Sequence, residues 1–328
     1  MQSVLRMLEL RWLVCAYMAV GFIFLMPAPS LAQPVSTSLR SVDLNTNIIG
    51  LGHRAWENNY LAVWDTGSAA VRLFSKEGFR IWSTEASIEG AVKTSITSMG
   101  VWPDGTTVAG GGARTAAGAL AGFLLWLSPD GSPIKTVRTS PFVPLHLKVA
   151  PNGKLWALGR ILNPPDAKTD LPHQMLRSFS KDGLQDWTAL SRENFAKWPH
   201  PAVAAGMTIS GDRVNIYLPS TGELIALSSI SGEELSRSTI NKPEGFQLRG
   251  MASKADGTIY LSGTRREKTM SKSLATYAKV DKGVAHWSDM GESGSSGSGK
   301  ATTIVGSLGD DLVLTSGGMN GFQWRREP

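Results

Sequence analysis

Five histidines, His53, His146, His173, His200 and His286, are the side chains best suited to proton transfer or metal binding near neutral pH. No two of them stand four apart and no His-Glu-x-x-His run occurs, so no zinc site is readable from spacing. His146 lies between Leu145 and Leu147 in a strand-like run. It fits either a titratable group facing a channel or a core histidine bonded to a backbone carbonyl, and the second arrangement is the commoner one. His173 and His200 fall in irregular stretches, and Pro199-His200-Pro201 is stiff, so surface exposure is their simpler account. The glycine-rich run Ala109–Arg114 has no helix after it to make a phosphate cradle. Gly294 followed by Gly299-Lys300 has P-loop spacing, but Ala301 stands where magnesium needs a hydroxyl, and a strand follows. No Gly-x-Ser-x-Gly elbow sits between a strand and a helix, and no carboxylates pair. The sequence therefore predicts no catalytic constellation, no metal and no cofactor.

The elements that would position such residues are short strands between two families of tight turn. The first family is Asn58-Asn59, Asp104-Gly105, Asn152-Gly153, Gly211-Asp212, Asp256-Gly257 and Gly309-Asp310. Hairpin corners need positive φ, which Gly, Asn and Asp tolerate. Each is followed by a strand-like run such as YLAVW, KLWAL or TIYLS. The second family is Glu77-Gly78, Asp130-Gly131, Asp182-Gly183, Ser231-Gly232 and Lys282-Gly283, with glycines 53, 52, 49 and 51 residues apart. A period near fifty marks a repeat architecture. Three of these turns place a tryptophan four residues after the glycine, namely Trp82, Trp187 and Trp287, while Lys135 and Ser236 take the place in the other two. A large side chain at one fixed position packs each sheet on its neighbour.

No stretch shows a helical period. Gly111–Gly122, Leu162–His173, Ser191–Pro201, Gly263–Ser273 and Gly291–Gly299 read as loops. The turns count out five complete four-stranded sheets, exemplified by the paired hairpins of Pro144–Leu190. A sixth has its first hairpin at Thr302–Gly317 and its third strand at Gly321–Arg326. A spare strand at Thr37–Leu44 supplies the missing fourth. The expected fold is an all-β, six-bladed β-propeller of four-stranded antiparallel blades, with the last blade closed by the amino-terminal strand.

LKVAPNGKLWALG and GMASKADGTIYLSG resemble the inner hairpins of NHL and gluconolactonase-like six-bladed propellers. FSKDGLQDW and FSKEGFRIW are similar to outer hairpins of PQQ-like repeats. The resemblance spans nearly all of 33–328 and implies the fold rather than an activity, because propellers host many functions. Calcium-dependent lactonases of this class gather acids at the channel mouth. Six residues upstream of each first-family turn stand Gly52, Ser98, His146, Ala205, Gly250 and Thr303, without an acid among them. Quinoprotein sugar dehydrogenases would need a histidine base and arginines for the quinone carboxylates, and His146, Arg160 and Arg249 are the residues placed for those roles.

Residues 1–32 read as a secretory signal: Arg6 and Arg11, then an uncharged apolar run from Trp12 to Met26, then Ser30-Leu31-Ala32 before the cut. The run is short for a membrane span. Cys15, the single cysteine, lies inside it and away from the cut, so no lipid-modified terminus is expected. The chain from 33 to 328 would form one propeller domain without disulfides. The net charge is +6, and loses two arginines and Glu9 with the signal to leave +5. Only Arg265-Arg266-Glu267-Lys268 is dense, and no basic-aromatic interleaving points to nucleic acid. The expected product is a secreted or periplasmic binding or scaffold module for a protein, peptide or carbohydrate, with no membrane contact once the signal is cut. His146, Arg160, His173, His200, Arg249 and Arg265 are the candidate ligand-binding residues. The alternative is an extracytoplasmic enzyme, either a metal-dependent lactonase or hydrolase or a quinone oxidoreductase.

Overall fold

The computed structural model describes residues 39–43, 53–65, 69–161, 174–186, 205–266, 273–293, 303–308, 311–315 and 321–326. The signal segment, His173, His200 and Trp187 lie outside the described residues. All regular structure among the described residues is β.

Among the described residues the strands assemble into six four-stranded antiparallel sheets. One pairs β1 (Leu39–Asp43) with β22 (Thr303–Leu308), β23 (Asp311–Thr315) and β24 (Gly321–Arg326), in the order β1-β24-β23-β22. The next holds β2 (His53–Glu57), β3 (Tyr60–Trp64), β4 (Ala70–Ser75) and β5 (Arg80–Glu85). Then come β6 (Ala91–Val101), β7 (Thr107–Thr115), β8 (Leu120–Leu127) and β9 (Pro133–Arg138). The third set is β10 (Phe142–Val149), β11 (Leu155–Ile161), β12 (Gln174–Phe179) and β13 (Gln185–Asp186). The fourth is β14 (Gly206–Ser210), β15 (Arg213–Leu218), β16 (Glu223–Ser228) and β17 (Glu234–Thr239). The fifth is β18 (Phe246–Ser253), β19 (Ile259–Arg266), β20 (Ser273–Asp281) and β21 (Val284–Ser293). The chain ends with β22 (Thr303–Leu308), β23 (Asp311–Thr315) and β24 (Gly321–Arg326). The first strands neighbour one another in turn: β2 with β6, β6 with β10, β10 with β14, β14 with β18, β18 with β22, and β22 with β2. The fold is an all-β propeller of four-stranded antiparallel blades.

The turn chemistry works as the residue types require. Asn58 and Asn59 have φ of 50° and 68°, and every glycine of the second family has positive φ, from 78° at Gly183 to 88° at Gly78. Asp104, Asp130, Asn152 and Asp256 each accept the backbone N–H two residues on, which fastens the corner. The core lies between sheets: Trp156, Leu158 and Leu176 of the third blade pack on Met207 and Ile216 of the fourth, and each such interface is apolar.

Three of the expected loops need correction. Gly111–Gly122, Gly263–Ser273 and Gly291–Gly299 are not loops throughout, since β7, β8, β19, β20 and β21 run into them. Glycines at matching places on the second strands answer a close backbone approach. A Cβ on Gly111 would stand 1.9 Å from the Ser95 carbonyl oxygen, one on Gly159 2.2 Å from that of Val143, and one on Gly263 2.0 Å from that of Gln247. In each case the first strand opposite carries a bulge, at Thr97, Leu145 and Arg249, that pushes its backbone toward the second strand.

In the first two blades the residue four after the second-family glycine is a plug, and the glycine of the following blade is its socket. Trp82 lies against Gly131, where an added Cβ would meet the indole at 2.7 Å, and Lys135 lies against Gly183 in the same way. Thr84 Oγ1 also donates to the Gly131 carbonyl at 2.8 Å. Gly131→Ala combines positive-φ strain with overpacking and is expected to lower unfolding free energy by about 2–4 kcal/mol. Adding Trp82→Leu should recover the overpacking part only; chemical denaturation of the single and double variants checks this.

Candidate functional site

The six first strands converge, and their polar side chains decide what the centre of the molecule can do. Four of these strands, β6, β10, β18 and β22, carry a bulge at the same level, which places Thr97, Leu145, Arg249 and Val305 without a partner on the second strand. A bulge re-aims the extra residue. Thr97 uses this to donate from Oγ1 to the carbonyls of Gly110 and Pro144. Arg249 is exposed there and is the one charged residue of the four.

The residue after the bulge is Ser98, His146, Gly250 or Gly306. Counting six residues back from the turn gives the first three; in the last blade Leu308 pairs directly with Asp311, the spacing is shorter, and Thr303 lies three residues early. Ser98 Oγ accepts the Leu147 N–H of the next blade at 2.9 Å. His146 donates to the backbone carbonyl of Ala205, also in the next blade, and is crowded by protein although part of its surface remains open. Burial and the Lys148 charge hold its pKa down to about 4, so it is neutral at physiological pH. A histidine depressed below its unfolded pKa makes the folded state bind fewer protons, so stability falls as pH drops from 6.5 toward 4. The His146 ring resonances should therefore stay those of neutral imidazole down to about pH 5, and His146→Phe should flatten the acid limb of the stability curve.

The acid that the sequence alignment passed over is Glu57, the last residue of β2. Its carboxylate is buried and accepts the Val101 N–H at 2.8 Å and the Val149 N–H at 2.7 Å. Val101 and Val149 end the first strands of the next two blades. One side chain that reaches two successive neighbours lies where the sheets converge. Burial pushes its pKa up, against the pull of Lys148 and the two N–H groups. The signal was present in the sequence: Glu57 occupies the place before the turn that Val101, Val149, Ser210, Ser253 and Leu308 occupy in the other blades.

At the opposite ends of the first strands, the ends away from the short turns, His53 stacks on Trp64 with centroids 5.8 Å apart. Burial lowers the His53 pKa, with Asp65 opposing, and lowers that of Arg54. Arg160 shares with Leu158 and His146 the face of the third blade that meets the fourth, and its Nε is buried without a hydrogen-bond partner among the described residues. Arg265 is drawn elsewhere: its guanidinium bridges Asp289 at 3.0 Å on the outer strand β21. Of the six sequence candidates, His146 and Arg160 come together on one sheet face, Arg249 stands alone at its bulge, Arg265 is paired away, and His173 and His200 lie outside the described residues. The first strands together carry Arg54, Lys93, Lys148 and Arg249 against the single acid Glu57. Among the described residues no three His, Cys, Asp or Glu side chains gather as a metal site.

No family model matches the chain, and no curated protein matches it in sequence. Among solved structures it is similar to the calcium-binding protein regucalcin of Agrobacterium tumefaciens, with a TM-score of 0.53 and 11% identity over 88% of this chain and 93% of that one. It is also similar to a Bacteroides fragilis protein described as exported, with a TM-score of 0.51 and 12% identity over 89% and 95% of the two chains. Hydrazine synthase of Kuenenia stuttgartiensis gives a TM-score of 0.52 at 10% identity, over 82% of this chain and 74% of that one. These likenesses show the propeller fold.

Proposed function

We propose that this chain is an exported, closed six-bladed propeller that binds a protein, peptide or carbohydrate ligand carrying an anionic group. Binding would take place where the first strands open toward the longer connections. The amino-terminal strand closes the ring by completing the last blade. The observation that carries the reading is the charge of the first strands: four bases face one acid, and that acid is already sealed by two backbone N–H groups. A centre of that sign attracts anions and repels a calcium ion. Half-buried guanidinium groups at Arg54 and Arg160, with Arg249 projecting from a bulge, suit carboxylate recognition through paired N–H donors.

The experiment is a binding screen of acidic and neutral oligosaccharides and peptides, repeated with Arg249→Ala and Arg54→Ala. Acidic ligands should be retained, and each variant should weaken them by about tenfold or more. Retention of neutral ligands alone, or purified protein carrying calcium with lactone hydrolysis or a quinone absorption band, would replace this reading with the enzyme.

A further inference from the structure

Large apolar side chains are exposed in a repeating place. Phe79 directly follows Gly78 and is 73% exposed, and Leu184 directly follows Gly183 and is 68% exposed. Val284 directly follows Gly283, while Ile134 and Leu235 stand three residues after Gly131 and Gly232, each at least 50% exposed. Each of the five blades thus shows an exposed apolar residue at the corner between its third and fourth strands, as at Phe79, Leu184 and Val284, or one residue into the fourth strand, as at Ile134 in β9 and Leu235 in β17. These five sites share one end of the molecule. All blades run in the same strand order, and side chains tie neighbouring corners together: Trp102 Nε1 donates to the Gly153 carbonyl, Asn152 Nδ2 to that of Ser229, and Lys181 pairs with Asp104.

The sixth blade adds an independent observation. Its fourth strand is β1, and Leu39 stands opposite Arg325 beside the β22–β23 corner. β1 therefore begins at this same end. The sequence before it, with the apolar run Trp12–Met26, joins the fold there.

We propose that the turn-bearing end of the propeller rests on a lipid bilayer surface, with the five apolar tips entering the headgroup layer. A ring of similar tips meets one partner all at once only if that partner is flat and laterally uniform. An export segment held in the bilayer brings this end to it first. Acids and bases alternate on the tips, as in Lys76 and Glu77, Lys181 and Asp182, and Asp281 and Lys282, so apolar burial rather than attraction to anionic lipid drives the contact. This departs from the sequence expectation of no membrane contact after signal cleavage. It also leaves the longer connections directed away from the bilayer.

The test is sedimentation of the 33–328 chain with vesicles of phosphatidylethanolamine and phosphatidylglycerol, and separately of phosphatidylcholine, at low and high salt. The protein should pellet with both, with little effect of salt. Phe79→Ser/Leu184→Ser/Val284→Ser should reduce partitioning by about tenfold or more while thermal unfolding is unchanged. Because the 33–328 chain has no cysteine, Phe79→Cys can carry an environment-sensitive dye; its emission should shift to the blue on vesicles, and that of Arg114→Cys, on the other end, should not. Protein that stays in the supernatant with every vesicle, a triple variant that binds like wild type, or a dye at position 79 that does not shift overturns the proposal. A self-associated wild type that the triple variant dissolves, without vesicle binding, assigns the tips to a second copy and overturns it too.

Discussion

Deleting residues 34–44 is expected to lower the melting temperature by about 10–20 °C and to make the protein prone to aggregate. β1 pairs with β24 through five residues, Leu39 to Asp43 against Arg325 to Gly321. Without it, β24 becomes the outer strand of a three-stranded blade and shows a row of free N–H and C=O groups. About five interstrand bonds at roughly 1 kcal/mol each, with the burial that accompanies them, give on the order of 5 kcal/mol, and each kcal/mol moves the midpoint of a protein this size by about 2–4 °C. Differential scanning calorimetry of the deletion variant, and of the same variant with a 34–44 peptide added, reads the effect. A midpoint equal to that of wild type would show that β1 does not hold the ring closed.

Replacing Glu57 by alanine is the second severe change. Two buried N–H groups, those of Val101 and Val149, lose their acceptor together, and a small cavity opens. The sum is about 3–5 kcal/mol. Glu57→Gln keeps one amide oxygen and turns the other acceptor into a donor facing an N–H, so it should lose about 1–3 kcal/mol. The pH dependence has the opposite sign to that of an ordinary paired carboxylate. A folded-state pKa raised above the ordinary 4.5 means the folded protein binds a proton more tightly than the unfolded chain. The corresponding stability is complete below 4.5 and is lost as pH climbs through the folded pKa. Glu57→Gln removes that decline, so the gap between variant and wild type should narrow as pH rises across this window. Urea denaturation at a series of pH values measures it, and a gap that widens instead would show the N–H bonds to outweigh burial.

The repeat was legible because its corners use the few residues that accept positive φ. Gly78, Gly131, Gly183, Gly232 and Gly283 announce the period before any strand is considered, and the structure finds all five at positive φ. Thr37–Leu44 was readable as a spare strand, and β1 lies within it. The plug position was partly legible. Trp82 follows from the tryptophan pattern, whereas Lys135 breaks that pattern and its packing is defined only by its place against Gly183. Glycine meaning was the harder part. Gly111 and Gly263 read as loop residues, yet they are strand residues facing a bulge, and a bulge leaves no mark in composition. The site was the least legible. Arg265 and Arg160 look alike in sequence, and only the fold places Asp289 beside the first and sets the second on the blade face it shares with His146. Glu57 was hidden for a different reason: its partners are main-chain amides, which every residue type supplies equally.

The seating of an outer strand in the next blade's corner glycine, seen at Gly131 and Gly183, has an evolutionary reading. The receptacle is the same residue with the same backbone twist, while its occupant ranges from an indole at position 82 to an alkylammonium stem at position 135. Neighbours so joined need not have co-adapted in detail. A duplicated or transplanted blade would arrive with a compatible fitting on both sides, and lineages of this architecture can gain, lose or exchange whole blades with modest repair at the two new seams.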